Sequence, residues 1–176
     1  MLKQIRVALA LTLVHDLASA HQSHQSSPVL SATVSGKILQ IALRNGQTET
    51  INLPSGQTSF GTVQIAPDHR TVGWVTNETP YDGYDANLFA GAPDLAARLT
   101  IWKSGALQHV FTAGIDGILT WKFVAGGRQV AFHNGPMHLD QDPLCELHDA
   151  LTGRRLATWH PASHHQEPPW ATGLWN

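Results

Sequence analysis

The 176-residue chain holds a single cysteine, Cys145, so no internal disulfide can staple it. In an oxidising compartment such a thiol is either buried and inert or free for an intermolecular bond. Charge is scarce as well. Asp, Glu, Lys and Arg make up 14% of the residues, the formal net charge is -2 and no Lys/Arg cluster occurs, which removes the electrostatic footprint of a nucleic-acid binder. The apolar run from Val7 to Val14 is far too short to cross a bilayer as a helix. Gly-x-Ser-x-Gly, His-Glu-x-x-His and Cys-x-x-Cys are missing, and no glycine-rich phosphate loop follows a strand into a helix. Stability is left to packing, and uncharged Ser, Thr, Gln, Asn and His must carry the surface.

What is present begins with Lys3 and Arg6, the apolar run, and Ala18-Ser19-Ala20, a small-x-small cleavage pattern. Residues 1–20 therefore read as a secretory signal, which places the mature protein in the periplasm or outside the cell. His15 and Asp16 interrupt the end of the apolar core and leave an uncleaved segment as the alternative. His21, not a cysteine, stands directly after the cleavage pattern, so a lipid-anchored start is unsupported, and no membrane span is expected after cleavage. Residues 21–30 open with the polar phrase HQSHQSSP and are expected to form a flexible leader. The remainder suffices for one domain with a sizeable core.

From Lys37 the hydrophobic period is two. Leu39, Ile41 and Leu43 alternate before Asn45-Gly46, and Ile51 and Leu53 alternate after it, which predicts a β-hairpin. A second hairpin of the same form lies at Leu99 to Phe111 and a third at Glu146 to Trp159. Between them stands another phrase, twice. Val63 and Ile65 precede a Pro67-Asp68-His69 turn and then Val72 and Trp74; Leu119, Trp121 and Phe123 precede a Gly126-Gly127 turn and then Val130 and Phe132. Arg70 and Arg128 occupy the matching place after each turn. The chain thus parses as two four-stranded units and a leading half, all antiparallel, over residues 31–160, with residues 161–176 as a tail rich in Pro, Trp and His that is either disordered or a strap. Trp74, Trp102, Trp121, Phe123, Phe132 and Trp159 are expected to pack between units.

Ala66-Pro67-Asp68-His69-Arg70-Thr71-Val72-Gly73-Trp74 and Gly126-Gly127-Arg128-Gln129-Val130-Ala131-Phe132 resemble the S-P-D-G-R-x-hydrophobic-A-Phe/Trp motif of the TolB-like (WD40-like, PD40) β-propeller repeats. Leu147 to Gly153 resembles that family's D-x-x-T-G second half, and the resemblance spans roughly residues 37 to 160. It implies an all-β fold of blade-like repeats, a partial β-propeller of about two and a half blades, and is nearly silent on function. The alternative is a β-sandwich. His69 stands where the family has Gly, Gly126 where it has Asp, and Lys103-Ser104-Gly105 where a longer turn is usual. An open half-ring exposes sheet edges and a blade face, so a partner protein, self-association or compact rearrangement is expected to cover them.

Chemistry is expected where the two units differ most, in the loops 77–95 and 133–144, which occupy the same topological place and would emerge on one rim. The first offers Tyr81, Asp82, Tyr84, Asp85 and Asn87, and the second His133, His138, Asp140 and Asp142. Asp82, Asp85 and Asn87 are oxygen ligands without EF-hand order; His133, His138, Asp140, Cys145 and His148 suit zinc or copper by type but not by spacing. Turn-rich loops also collect Asp, Asn and Gly for backbone reasons alone. The reading is an exported, non-enzymatic binding or protein-interaction module without a required cofactor. A periplasmic metal-binding protein that uses the two loops is second, and a hydrolase is a distant third.

Overall fold

The computed structural model describes residues 27–79, 95–112, 117–135, 143–163 and 166–175. These residues form three antiparallel sheets. Sheet I contains β1 (Val29–Ser35), β2 (Ile38–Leu43) and β3 (Thr48–Asn52), in that order; sheet II contains β4 (Gln57–Ile65), β5 (Thr71–Glu78), β6 (Leu95–Lys103) and β7 (Ala106–Thr112); sheet III contains β8 (Ile118–Val124), β9 (Gln129–Asn134), β10 (Leu144–Asp149) and β11 (Arg155–Trp159). The only helical pieces described are single 3-10 turns at Ala125–Gly127 and Pro161–Ser163. No helix among the described residues is long and apolar enough to cross a membrane.

Alternation along each strand decides how the sheets stack. Leu39, Ile41 and Leu43 of sheet I meet Val72, Trp74 and Trp102 of sheet II in one cluster; Leu99, Ile101 and Phe111 of sheet II meet Trp121, Val130 and Phe132 of sheet III in the next. Corresponding strands therefore turn corresponding residues toward the preceding sheet: Val63, Ile65, Val72 and Trp74 in sheet II, and Trp121, Phe123, Val130 and Phe132 in sheet III. The match extends to the turns, where the Arg70 carbonyl accepts from the Ser104 N–H (3.1 Å) and the Arg128 carbonyl from the Ala150 N–H (3.0 Å). Close approach explains one glycine. A Cβ on Gly73 would lie 2.6 Å from the Trp121 ring, so the indole of sheet III lies directly on the β5 backbone.

The expected hairpins are all present, and three features differ from the expectations. First, the leading unit has three strands, because β1 starts at Val29, inside the span read as leader. Its alternation is broken by a bulge between Val29 and Ser31, which hides the period-two signal. Second, Asn45 keeps negative φ while Gly46 takes φ 85°, with the Gly46 N–H bonded to the Leu43 carbonyl and the Leu43 N–H to the Gln47 carbonyl. The connection is thus the whole of Arg44-Asn45-Gly46-Gln47, as the strand pattern on either side sets it, closed by a left-handed glycine rather than by Asn45-Gly46 alone. Third, the tail is a strap across a face rather than an edge. Ala171 and Leu174 are buried against Ala131, Cys145 and Leu147 on the outer side of sheet III, and the Thr120 hydroxyl and Lys122 ammonium donate to the carbonyls of Leu174 and Thr172.

The opposite end of the stack is closed by composition. The register places Ser31, Thr33, Gln40, Thr48 and Thr50, together with Ala42 and Ile38, on the side of sheet I away from sheet II, a mainly polar outer face of the kind an end repeat needs.

Candidate functional site

Sheets II and III each end, on one rim, in the two short turns that join their first to second and third to fourth strands. The β4–β5 turn is organised by Asp68. Its Oδ1 accepts from the N–H groups of Arg70 and Thr71 (both 2.9 Å), and its Oδ2 from the Thr71 hydroxyl (2.8 Å) and the Lys103 ammonium (3.1 Å). Burial pushes the Asp68 carboxyl upward, but the Arg70 N–H, Thr71 hydroxyl, Lys103 ammonium and Thr71 N–H outweigh it and hold the group below its ordinary value. His69, standing where the TolB-like motif has glycine, adopts φ 50°, and the matching Gly127 adopts φ 93°. A side chain at Gly127 would collide with Ala66, its Cβ lying 2.7 Å away. The Gly127 backbone of the sheet III turn thus sits directly against the Ala66 and Asp68 side chains of the sheet II turn.

That contact leaves a cleft between the sheets. Its inner part, about 240 Å³, has an apolar floor of Ile101, Ala150 and Leu151 and is flanked by Lys103 and Arg128. It shares those two cations with a shallower groove that adds Arg70 and Asp68. The two carboxylates beside it are already engaged, Asp68 by its own turn and by Lys103, Asp149 by its own turn. Asp149 accepts from the N–H and hydroxyl of Thr152 (both 2.8 Å) and the N–H of Leu151 (3.1 Å); the Thr152 donors, the Leu151 N–H and the charge of Arg154 hold it low against a small burial penalty. In sheet III the Asp68 position is Gly126, so no matching carboxylate faces Arg128. The arrangement suits an anionic group attached to an apolar one.

Sequence reasoning saw no basic cluster because Arg70, Lys103 and Arg128 are far apart in the chain. The available signal was the matching position of Arg70 and Arg128 after their turns.

The described strands that flank the spans 77–95 and 133–144 end on the opposite rim. β5 and β6, and β9 and β10, end there, and Asn77, Ala96, Ile118 and Thr120 line a cavity between their sheets. Tyr81, Asp82, Tyr84, Asp85, Asn87, His138, Asp140 and Asp142 lie outside the described residues. His133 is described and faces elsewhere: it lies under the tail, 3% exposed, edge-on to Trp175 with ring centroids 5.0 Å apart. Cys145 is its cross-strand partner, whereas His148, an odd number of residues further along β10, points to the other face. There His148 Nε2 meets Glu146 Oε2 at 2.6 Å, Nδ1 meets the Gly153 carbonyl at 2.9 Å, and the ring stacks on Phe132. His133, Cys145 and His148 therefore do not form one ligand set, and the described residues contain no group of three or more metal-ligating side chains. The His148–Glu146 pair is enclosed between sheets II and III and serves as a hydrogen-bonded clamp on the β10–β11 turn.

Burial holds His133 below its ordinary value of 6.5, and its Nε2 has no hydrogen-bond partner among the described residues. The unfolded chain takes up this proton at higher pH than the folded one, so the ring's contribution to stability is intact above the ordinary value and declines as pH falls toward the folded value. His133→Phe is expected to remove that dependence. Urea midpoints of wild type and variant between about pH 7.5 and 5.5 should move in the variant's favour on acidification; a constant difference would show that the ring titrates freely in the folded protein.

No family model and no curated protein matches the chain. Among solved structures, one described as the crystal structure of the eukaryotic initiation factor is similar at a TM-score of 0.42 and 10% identity, over 76% of this chain and 33% of that one. The chain spans about a third of that structure's length.

Proposed function

We propose that the protein is a non-enzymatic binding module, built from propeller-like repeats of the TolB-like kind and exported to the periplasm or the cell exterior, that takes acidic segments of a partner protein at its turn rim. The observation that carries this reading is an apolar cleft flanked by Lys103 and Arg128 that adjoins a groove adding Arg70, with Asp149 bonded within its own turn and Asp68 bonded to its turn and to Lys103. Export rests on Lys3, Arg6, the apolar run and Ala18-Ser19-Ala20.

Arg70 and Arg128 are exposed, so the double variant Arg70→Ala/Arg128→Ala should fold normally. A labelled peptide of alternating Glu and Leu is expected to bind the wild type and to lose at least about tenfold in affinity both in the double variant and on raising salt from about 0.05 to 0.5 M. Equal binding by the variant would remove the turn rim from the reading.

Metal binding by the two long loops is the second reading, favoured by the shared rim on which their flanking strands end. Stoichiometric zinc, copper or calcium in untagged protein, lost on Asp82→Ala or His138→Ala, would put it first.

A further inference from the structure

Sheets II and III each contain four strands, and in both the second strand is enclosed. β5 is buried from Thr71 to Thr76 and β9 from Val130 to His133, because β4 and β8 cover their inner edges. Sheet I has no such first strand among the described residues: its order begins at β1, the counterpart of β5 and β9. The consequence is visible in burial. β1 is exposed at five of its seven residues, with Leu30 at 58% and Val34 at 40%, although the register sets Val34 opposite Leu39 on the side that faces sheet II.

Backbone geometry points the same way. The β1–β2 connection is a two-residue turn at Gly36-Lys37, with Ser35 opposite Ile38. In an antiparallel pair so connected, the residues flanking the turn exchange hydrogen bonds and the next ones turn their N–H and C=O outward. Val34 and Ala32 are the outward residues. Among the described residues the edge thus combines outward main-chain groups without a strand partner and one exposed apolar side chain, Val34, beside the partly buried Ala32, the two elements of recognition by strand addition.

In sequence, the residues just before Val29 stand where a first strand would stand if the chain simply repeated itself. They read HQSHQSSP, a segment without the apolar alternation of the first strands β4 (Val63, Ile65) and β8 (Trp121, Phe123). That segment thus lacks the residue pattern of a first strand.

We propose that the free edge of β1 is a docking site for one extended segment of a partner polypeptide, apolar at alternate residues, which adds antiparallel to β1 as the fourth strand of sheet I. Its apolar side chains cover Val34 and the partly exposed Val63 and Ile65 of β4, and its other side chains join the Ser/Thr outer face. This surface is separate from the turn rim and does not depend on Arg70 or Arg128.

The test uses a fluorescent peptide copying Gln57–Ile65, the chain's own first strand in sheet II, with a scrambled peptide as control. The copy is expected to bind in the micromolar range and the scramble at least about tenfold more weakly. Val34→Pro removes an outward N–H without touching the β1–β2 ladder, so it should keep the wild-type urea midpoint and abolish binding. Should that variant fail to fold, Val34→Lys places a charge on the edge without altering the backbone and should likewise block binding. Equal binding of copy and scramble, or undiminished binding by both variants, would overturn the proposal. So would a concentration-dependent dimer that Val34→Lys dissolves, since a second copy of the chain would then be the occupant. The Arg70→Ala/Arg128→Ala protein should bind the copy normally, which keeps failure of the turn-rim reading distinct from failure of this one.

Discussion

Trp74→Ala and Phe132→Ala are each expected to cost about 3 to 5 kcal/mol in urea-unfolding free energy. The two residues hold the same place in successive units, two residues beyond Val72 and Val130 on the second strand, and they are 3% and 4% exposed. Trp74 fills the interface between sheets I and II, among Leu39, Ile41 and Trp102. Phe132 fills the interface between sheets II and III, 5.5 Å from the Phe111 ring and stacked on His148. A truncation at either site leaves a void in a two-sided core that rigid strands cannot collapse into. Because the clusters are separate, the double variant should approach the sum of the single effects. A nearly neutral result at either position would show that the two units are not equivalent.

The second large effect is expected at the strap. Leu174 is 2% exposed and packs on the sheet III face that includes Cys145 and Leu147, and its carbonyl accepts from the Thr120 hydroxyl at 2.7 Å. Leu174→Asp would place a charge in that apolar cluster, and release of the strap is the cheaper response. Cys145 reports the event. In the folded protein it is fully buried, and burial, reinforced by the negative charge of Glu167, pushes its thiol from 9.0 up to about 11. Releasing the strap removes both causes, so labelling by a thiol reagent at about pH 8 should accelerate by about a hundredfold from the thiolate fraction alone, and further from access. A labelling rate unchanged by Leu174→Asp would mean that the strap is not what shields sheet III. The exposed Ala131, Cys145 and Leu147 surface should also promote self-association, visible by light scattering.

Much of the architecture could be read along the chain because its signals are local. Alternation at Leu39, Ile41 and Leu43 and turn residues at Asn45-Gly46, Ser104-Gly105 and Thr152-Gly153 act within a few residues, and each marks a hairpin that is present. The repeat was legible for the same reason, since Val72 and Trp74 match Val130 and Phe132 by spacing from a turn. β1 was not legible: the bulge after Val29 shifts the phase of its apolar residues, and Ser and Thr dilute the rest. The cation-lined cleft was half legible. Arg70 and Arg128 matched each other, but Lys103 joins them only because Asp68 holds its ammonium at 3.1 Å and the glycine at 127 lets the neighbouring turn approach. His133 shows the opposite case, for its loop neighbours suggested a rim and strand alternation turned it under the tail.

Side-chain periodicity and turn chemistry settled the all-β class, the hairpins and the pairing of equivalent residues, since these depend on neighbours a few positions away. Stacking order, the fate of the two end faces and the meeting of Arg70, Lys103 and Arg128 depend on residues brought together from distant parts of the chain. Such contacts are chosen by the best joint burial of several faces at once, and no single segment carries that information.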